Sequence, residues 1–177
     1  MRRDILFHLS FWLFTFLIIS FFKGLLIPVA WPFWFGGVVG LILPEVDHLI
    51  YIFFLRPQDL TSQRFHFLLE RKKIVRSIEL LYETHGERSG LIFHSLLFQI
   101  IFFALSFLVF TSSSTLFAKG LTFSFLLHLF VDQLMDIRSS GNLQGWMQYM
   151  SFPVSSSLSK LYLVISFLII CMFAFLL

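Results

Sequence analysis

Glu45, Asp47 and His48 fall within the stretch Leu43-Pro44-Glu45-Val46-Asp47-His48, between the apolar runs Phe33 to Leu43 and Leu49 to Leu55. Ionisable groups in such surroundings are costly to desolvate unless they have partners, which marks the stretch as a site. His8, His94, His128 and Asp132 offer those partners. His128 and Asp132 are four residues apart, so they share one face of a helix, and Asp136 continues that face. A neutral imidazole and a carboxylate at that spacing can hold a metal ion. Three or more N and O donors, with one position left to water, make a hydrolytic zinc or related site.

The predicted ligands are His8, Asp47, His48, His94, His128 and Asp132. Glu45 is the predicted catalytic base, or else it orients a ligating imidazole. The expected cofactor is a divalent metal ion: zinc, with manganese or magnesium as the other candidates. Two plainer readings compete. A lone His in an apolar helix, such as His8, often bonds a Ser or a carbonyl. Asp and His inside a bundle also build proton or ion relays, or a polar layer that binds a partner.

The elements that must carry these residues are apolar. The chain has 177 residues, 58% of them hydrophobic, and a mean hydropathy of +0.87. Several runs approach or exceed 18 residues, which predicts an integral membrane protein rather than a soluble domain. The single cysteine, Cys171, excludes a disulfide framework and a Cys-based zinc site. The 26 phenylalanines read as lipid-facing filler. The predicted fold is all-α: one membrane-embedded domain over 1–177, with four to five transmembrane helices and an amphipathic insertion at 56–90.

A first span covers Ile5 to Phe22; it is too long for a signal peptide, and no small-residue cleavage site follows it. A turn at Pro28 to Pro32 leads to a second span from about Phe33, kinked or restarted at Pro44. Gly36, Gly37 and Gly40 would let another helix approach closely. In 56–90, Phe65, Leu68, Leu69, Ile74, Val75, Ile78, Leu81 and Tyr82 recur at mostly three- and four-residue steps. That spacing predicts surface helices over 60–82, lying over the site as a lid or exposed as a solvated hairpin. His66 and His85 read as surface residues. Leu91 to Phe110 forms a third span, about Leu121 to Ile137 a fourth, and Leu158 to Leu177 a last. Trp31, Trp146 and Tyr149 are candidate interface anchors.

Charge sets the orientation. Arg2 and Arg3 precede the first span, seven Lys or Arg lie in 56–90, and Arg138 follows the fourth span. The positive-inside rule puts these segments in the cytoplasm and the C-terminus outside. Glu45, Asp47, His48, His8, His94, His128 and Asp132 then fall at similar depth, in one layer near the inner face. The outer halves of the first, third and fourth spans offer only Ser and Thr, which favours a one-sided site over a relay.

Leu-Pro-Glu-Val-Asp-His at 43–48 resembles the Leu-Pro-Asp-x-Asp-His signature of the YdjM-like family of inner-membrane, predicted metal-dependent hydrolases. His8 matches the family's early His. Phe93-His94-Ser95 is similar to its Thr-His-Ser, and His128-Leu129-Phe130-Val131-Asp132 to its His-Leu-x-x-Asp. Gly141, Gly145 and Pro153 correspond to its Gly-rich turn and Pro. Two positions depart: Glu45 replaces the first Asp, and Ser89-Gly90 stands where the family has His-Arg, with His85 or Arg88 nearby. The resemblance implies a membrane-bound hydrolase at the cytoplasmic face of the inner membrane, acting on a phosphoester or lipid-linked ester. Its partners would be membrane lipid and a small-molecule or lipid substrate, with no nucleic acid.

Overall fold

The computed structural model of the chain describes residues 2–84, 86, 88, 90–148 and 153–177; His85, Ser89 and Tyr149 lie outside them. Every regular element among the described residues is helical. Helix α1 is Arg2–Lys23 and α2 is Trp31–Ile42, entered through a 3-10 turn at Pro28–Ala30. A second 3-10 turn, Leu43–Glu45, leads into α3, Val46–Ile50, and a π-helical turn, Tyr51–Leu55. Then come α4 (Leu60–Glu70), α5 (Ile74–Glu83), α6 (Leu96–Ser112), α7 (Leu116–Ser140) and α8 (Ser156–Leu176).

Four of these segments are long and apolar enough to cross a membrane: Ile5–Lys23, Pro28–Leu55, Leu116–Ser140 and Ser156–Leu176. Helix α6 is apolar and shorter, at 17 residues. The second of the four does not break at Pro44. Proline lacks an amide donor, so the helix tightens there into the 3-10 turn and runs on in right-handed helical geometry.

Helix α7 is the axis of the bundle, and every residue from Thr122 to Gln133 is buried. Helix α2 lies against it backbone to backbone. A Cβ at Gly36 would meet the Phe117 carbonyl oxygen, one at Gly40 that of Leu121, and one at Gly120 that of Phe33. Small residues permit this approach, and dispersion contacts then do the packing. Around the seam, Phe16 stacks on Phe33 at 4.8 Å and Phe110 on Phe173 at 4.9 Å. The phenylalanines are therefore not all filler: Phe16, Phe33, Phe110, Phe123 and Phe173 build the core, while Phe14, Phe21, Phe22 and Phe175 are exposed.

Two ties fix which ends lie together. Lys23 Nζ donates to the Phe175 carbonyl at 2.6 Å, so the C-terminal ends of α1 and α8 are neighbours. The Leu143 amide donates to Ser159 Oγ at 2.9 Å, joining the end of α7 to the start of α8. The N-terminal end of α1, the stretch after α7 at 141–148 and the α4–α5 pair thus share one end of the bundle, with the C-terminus at the other.

Several boundaries differ from the sequence expectation. Helix α6 begins at Leu96 rather than Leu91, because Gly90 adopts a left-handed φ of 87° and Ser95 caps the helix by accepting from the Phe98 amide at 3.3 Å. Helix α7 starts earlier and ends later than expected, and it stops where Gly141 takes φ 79°. Trp146 is no interface anchor: it is buried, with its ring against His94. Trp31 is exposed. His66 sits edge-on to Phe53 with ring centres 5.0 Å apart, so it packs rather than standing free at the surface. The α4–α5 pair anchors through Phe65 on Tyr51, Ile52 and Leu91. Among the described residues, Arg88, after α5, is the one from this segment that hydrogen-bonds His48, and it ties back to Leu81 of α5.

Candidate metal centre

Asp132 is the hub of the site. Its Oδ1 lies 2.9 Å from His8 Nε2, and its Oδ2 lies 3.1 Å from His94 Nε2 and 3.2 Å from His128 Nε2. Three separate segments supply those imidazoles: α1, the turn before α6, and α7 itself. The spacing of His128 and Asp132 explains why both face inward together, one turn apart on the helix buried on all sides. Donor atoms of His8, His128 and Asp132 lie within 4.8 Å of one another. Tetrahedral zinc with ligands at about 2.0–2.2 Å separates its donors by roughly 3.3–3.6 Å, so a small inward movement would close this set on an ion. The donor chemistry of this set, two imidazole nitrogens and a carboxylate with His94 Nε2 beside them, also suits a divalent metal.

Glu45 stands at the edge of this group. Its Oε1 is 3.7 Å from His128 Nε2, and its side chain is about one-third exposed, at 35%, where Asp132 is 8% exposed. The 3-10 turn made by Pro44 carries it there.

Asp47 does something other than what its type and position predict. It is fully buried, and its carboxylate accepts from the Ile92, Phe93 and His94 amides at 3.0, 2.6 and 3.2 Å. The same Oδ2 lies 3.1 Å from His94 Nδ1. The carboxylate therefore replaces the helical partners that those amides lack and holds the His94 ring from behind. With Nδ1–H bonded to Asp47, His94 presents Nε2 toward Asp132, the arrangement in which a carboxylate orients a metal-binding imidazole. Asp47→Asn would set an amide NH2 against these N–H donors. We expect metal affinity to fall about 10–100-fold and the thermal midpoint to fall with it, read by metal titration and by melting in detergent.

His48 is likewise set back. Arg88 Nε donates to His48 Nδ1 at 3.0 Å, and the guanidinium also bonds Thr84 Oγ1 at 3.1 Å and the Leu81 carbonyl. An arginine does not give up its proton, so Nδ1 is the acceptor and the neutral ring carries its proton on Nε2. That tautomer suits His48 to anchoring Arg88 and not to ligating an ion.

The structure thus gathers His8, Glu45, His94, His128 and Asp132, and puts Asp47 and His48 one step behind them. Two participants were not singled out by spacing. Arg88 is one of seven basic residues in a polar stretch, and its only sequence signal is its nearness to the family's His-Arg position. Trp146 donates from Nε1 to Asp136 Oδ2 at 2.7 Å, so Asp136 serves a structural bond beside the centre. Next to Asp132, Gln133 donates to Gln99, which also accepts from Tyr162, and this links α6, α7 and α8 in the same layer. No protein-family model, curated protein or solved structure matches the chain.

Proposed function

We propose that this chain is an integral membrane, metal-dependent hydrolase of the YdjM-like kind, acting on a phosphoester or lipid-linked ester at the cytoplasmic face of its membrane. One observation carries the reading: the Asp132 carboxylate is ringed by the Nε2 atoms of His8, His94 and His128 at 2.9–3.2 Å. Those residues would hold a divalent ion, zinc being the best fit to three imidazoles and a carboxylate. When bound, such an ion polarises an ester oxygen and acidifies a bound water. Glu45, about one-third exposed beside His128, is the group able to accept a proton from an attacking water. Asp47 holds His94 in the productive tautomer, and Arg88 fixes His48 behind it.

Glu45→Gln tests the assignment, because an amide keeps the size and loses the basicity. Metal content should stay at the wild-type level while turnover of an aryl phosphate ester falls about 10²–10⁴-fold. Unchanged turnover, or wild-type protein devoid of metal, would sink the hydrolase reading.

The membrane orientation has its own check. Fusions of a reporter after Arg76 and after Leu177 should give opposite signals, since these points belong to opposite ends of the bundle. Equal signals would mean that the bundle does not cross the bilayer as proposed. The exposed Ile74, Val75 and Ile78 of α5, next to Arg71, Lys72 and Lys73, suit contact with anionic lipid.

A further inference from the structure

A cavity of about 400 Å³ opens beside the centre, between the stretch that carries Arg88 and His94 and the connection after α7. Its wall is rich in polar groups, and most of their acceptor atoms are already in use. Asn142 Oδ1 accepts from the Gln144 amide at 3.0 Å, and Gln144 Oε1 accepts from the Val154 amide at 2.7 Å. Backbone N–H groups cannot bond to an NH2, so both side-chain amides are fixed in orientation, and the NH2 is the group each lining residue has left to donate. The hydroxyls of Ser139 and Ser140 lie 3.2 and 2.7 Å from the Asp136 carbonyl, covering a helix-end carbonyl that would otherwise repel an anion. Asp136 Oδ2 accepts a hydrogen bond from Trp146 Nε1 at 2.7 Å. Arg88 adds a permanent positive charge to the same wall.

We propose that this cavity is an anion compartment in which Asn142, Gln144 and Arg88 hold the phosphate of a phosphate-ester substrate. The assignment rests on the hydrolase reading and narrows it, selecting phosphate esters over neutral lipid esters. His94 belongs both to the cavity wall and to the Asp132 cluster, so a phosphate held here sits beside the group that would act on it. The phosphate can belong to a soluble ester or to a lipid headgroup, because both present the same oxygens.

The test is calorimetric titration of sn-glycerol 3-phosphate into the detergent-solubilised full chain, both as purified and after chelator treatment, with glycerol as the neutral control. Binding should survive chelation, and glycerol should not bind. Asn142→Asp and Gln144→Glu keep the oxygen that accepts the backbone amide and replace only the donor. Each should weaken binding about tenfold, the effect of one charge-assisted hydrogen bond. Binding seen only with metal present, or undiminished in both variants, would overturn the proposal. Protein that binds the phosphate but never holds metal would leave the compartment standing and remove the hydrolase reading instead. Displacement by phosphatidic acid in mixed micelles, against phosphatidylcholine, identifies a lipid headgroup as the source. Its absence identifies a soluble ester.

Discussion

Asp132→Ala should empty the chain of divalent metal. Elemental analysis of wild-type protein should return about one ion per chain, and the variant's affinity should drop by at least about 100-fold. That exceeds the 10–100-fold that follows loss of a group standing behind a ligand. The reason is geometric. His8, His94 and His128 come from three segments and share nothing but this carboxylate within about 3 Å. Without it, the three imidazoles lose the one carboxylate they share, and among the described residues the Asp47 bond to His94 and the more distant Glu45 beside His128 remain near them. Asp132→Asn serves as the companion variant, since it fills the same volume and tests charge rather than packing. A proton relay built from the same residues predicts a different result: no metal in wild type and no change on substitution.

The second large effect is on stability. Gly120→Ala places a Cβ on the Phe33 carbonyl, and Gly40→Ala places one on that of Leu121, so either forces α2 away from α7. Each should cost about 3 kcal/mol, the upper end for overpacking, or roughly 6–12 °C in the melting midpoint for a chain of this size. Gly145→Ala is the control, as nothing lies within 4 Å of its Cβ position. The same two glycine variants should also lower metal content, because α7 bears His128 and Asp132 while the rod continuing from α2 bears Glu45 and Asp47. A melting midpoint that does not move would mean that the two backbones are not in contact.

Much of this site was legible because its residues are chemically out of place. Carboxylates and imidazoles in apolar runs have few places to go, and depth along each helix brought His8, His94, His128 and Asp132 to one layer. Gly36 and Gly40 announced close helix packing for a similar reason, since small residues on an apolar face leave room for a neighbouring backbone. What escaped the sequence was division of labour. Asp47 looks like a ligand by type and position, but its part is set by the amides at 92–94, which donate to its carboxylate and lie outside α6 because that helix starts at Leu96. Arg88 and Trp146 were missed since a basic residue in a basic stretch and a tryptophan in a polar loop carry no mark of the partner they meet in three dimensions. The phenylalanines were misjudged as one class because composition does not say which face of a helix each occupies.

The burial of α7 on every side has a consequence for how the protein is made. Its mean hydropathy is 1.2, against 2.2, 1.9 and 2.3 for the other three candidate spans. An aspartate at the centre of an inserting helix costs about 2.5–3.5 kcal/mol, an upper figure for Asp132, which lies toward the C-terminal end of α7, and α7 also carries His128 and Gln133. During synthesis, however, α1 and α2 emerge first. If the chain inserts in the order it is made, the glycine seam of α2 and the imidazole of His8 precede α7 and can receive it. Insertion of such a bundle would be cooperative: α7, the least apolar of the four candidate spans, would depend on the helices made before it. On that reading, a chain that lacks the first two helices would leave α7 on the aqueous side.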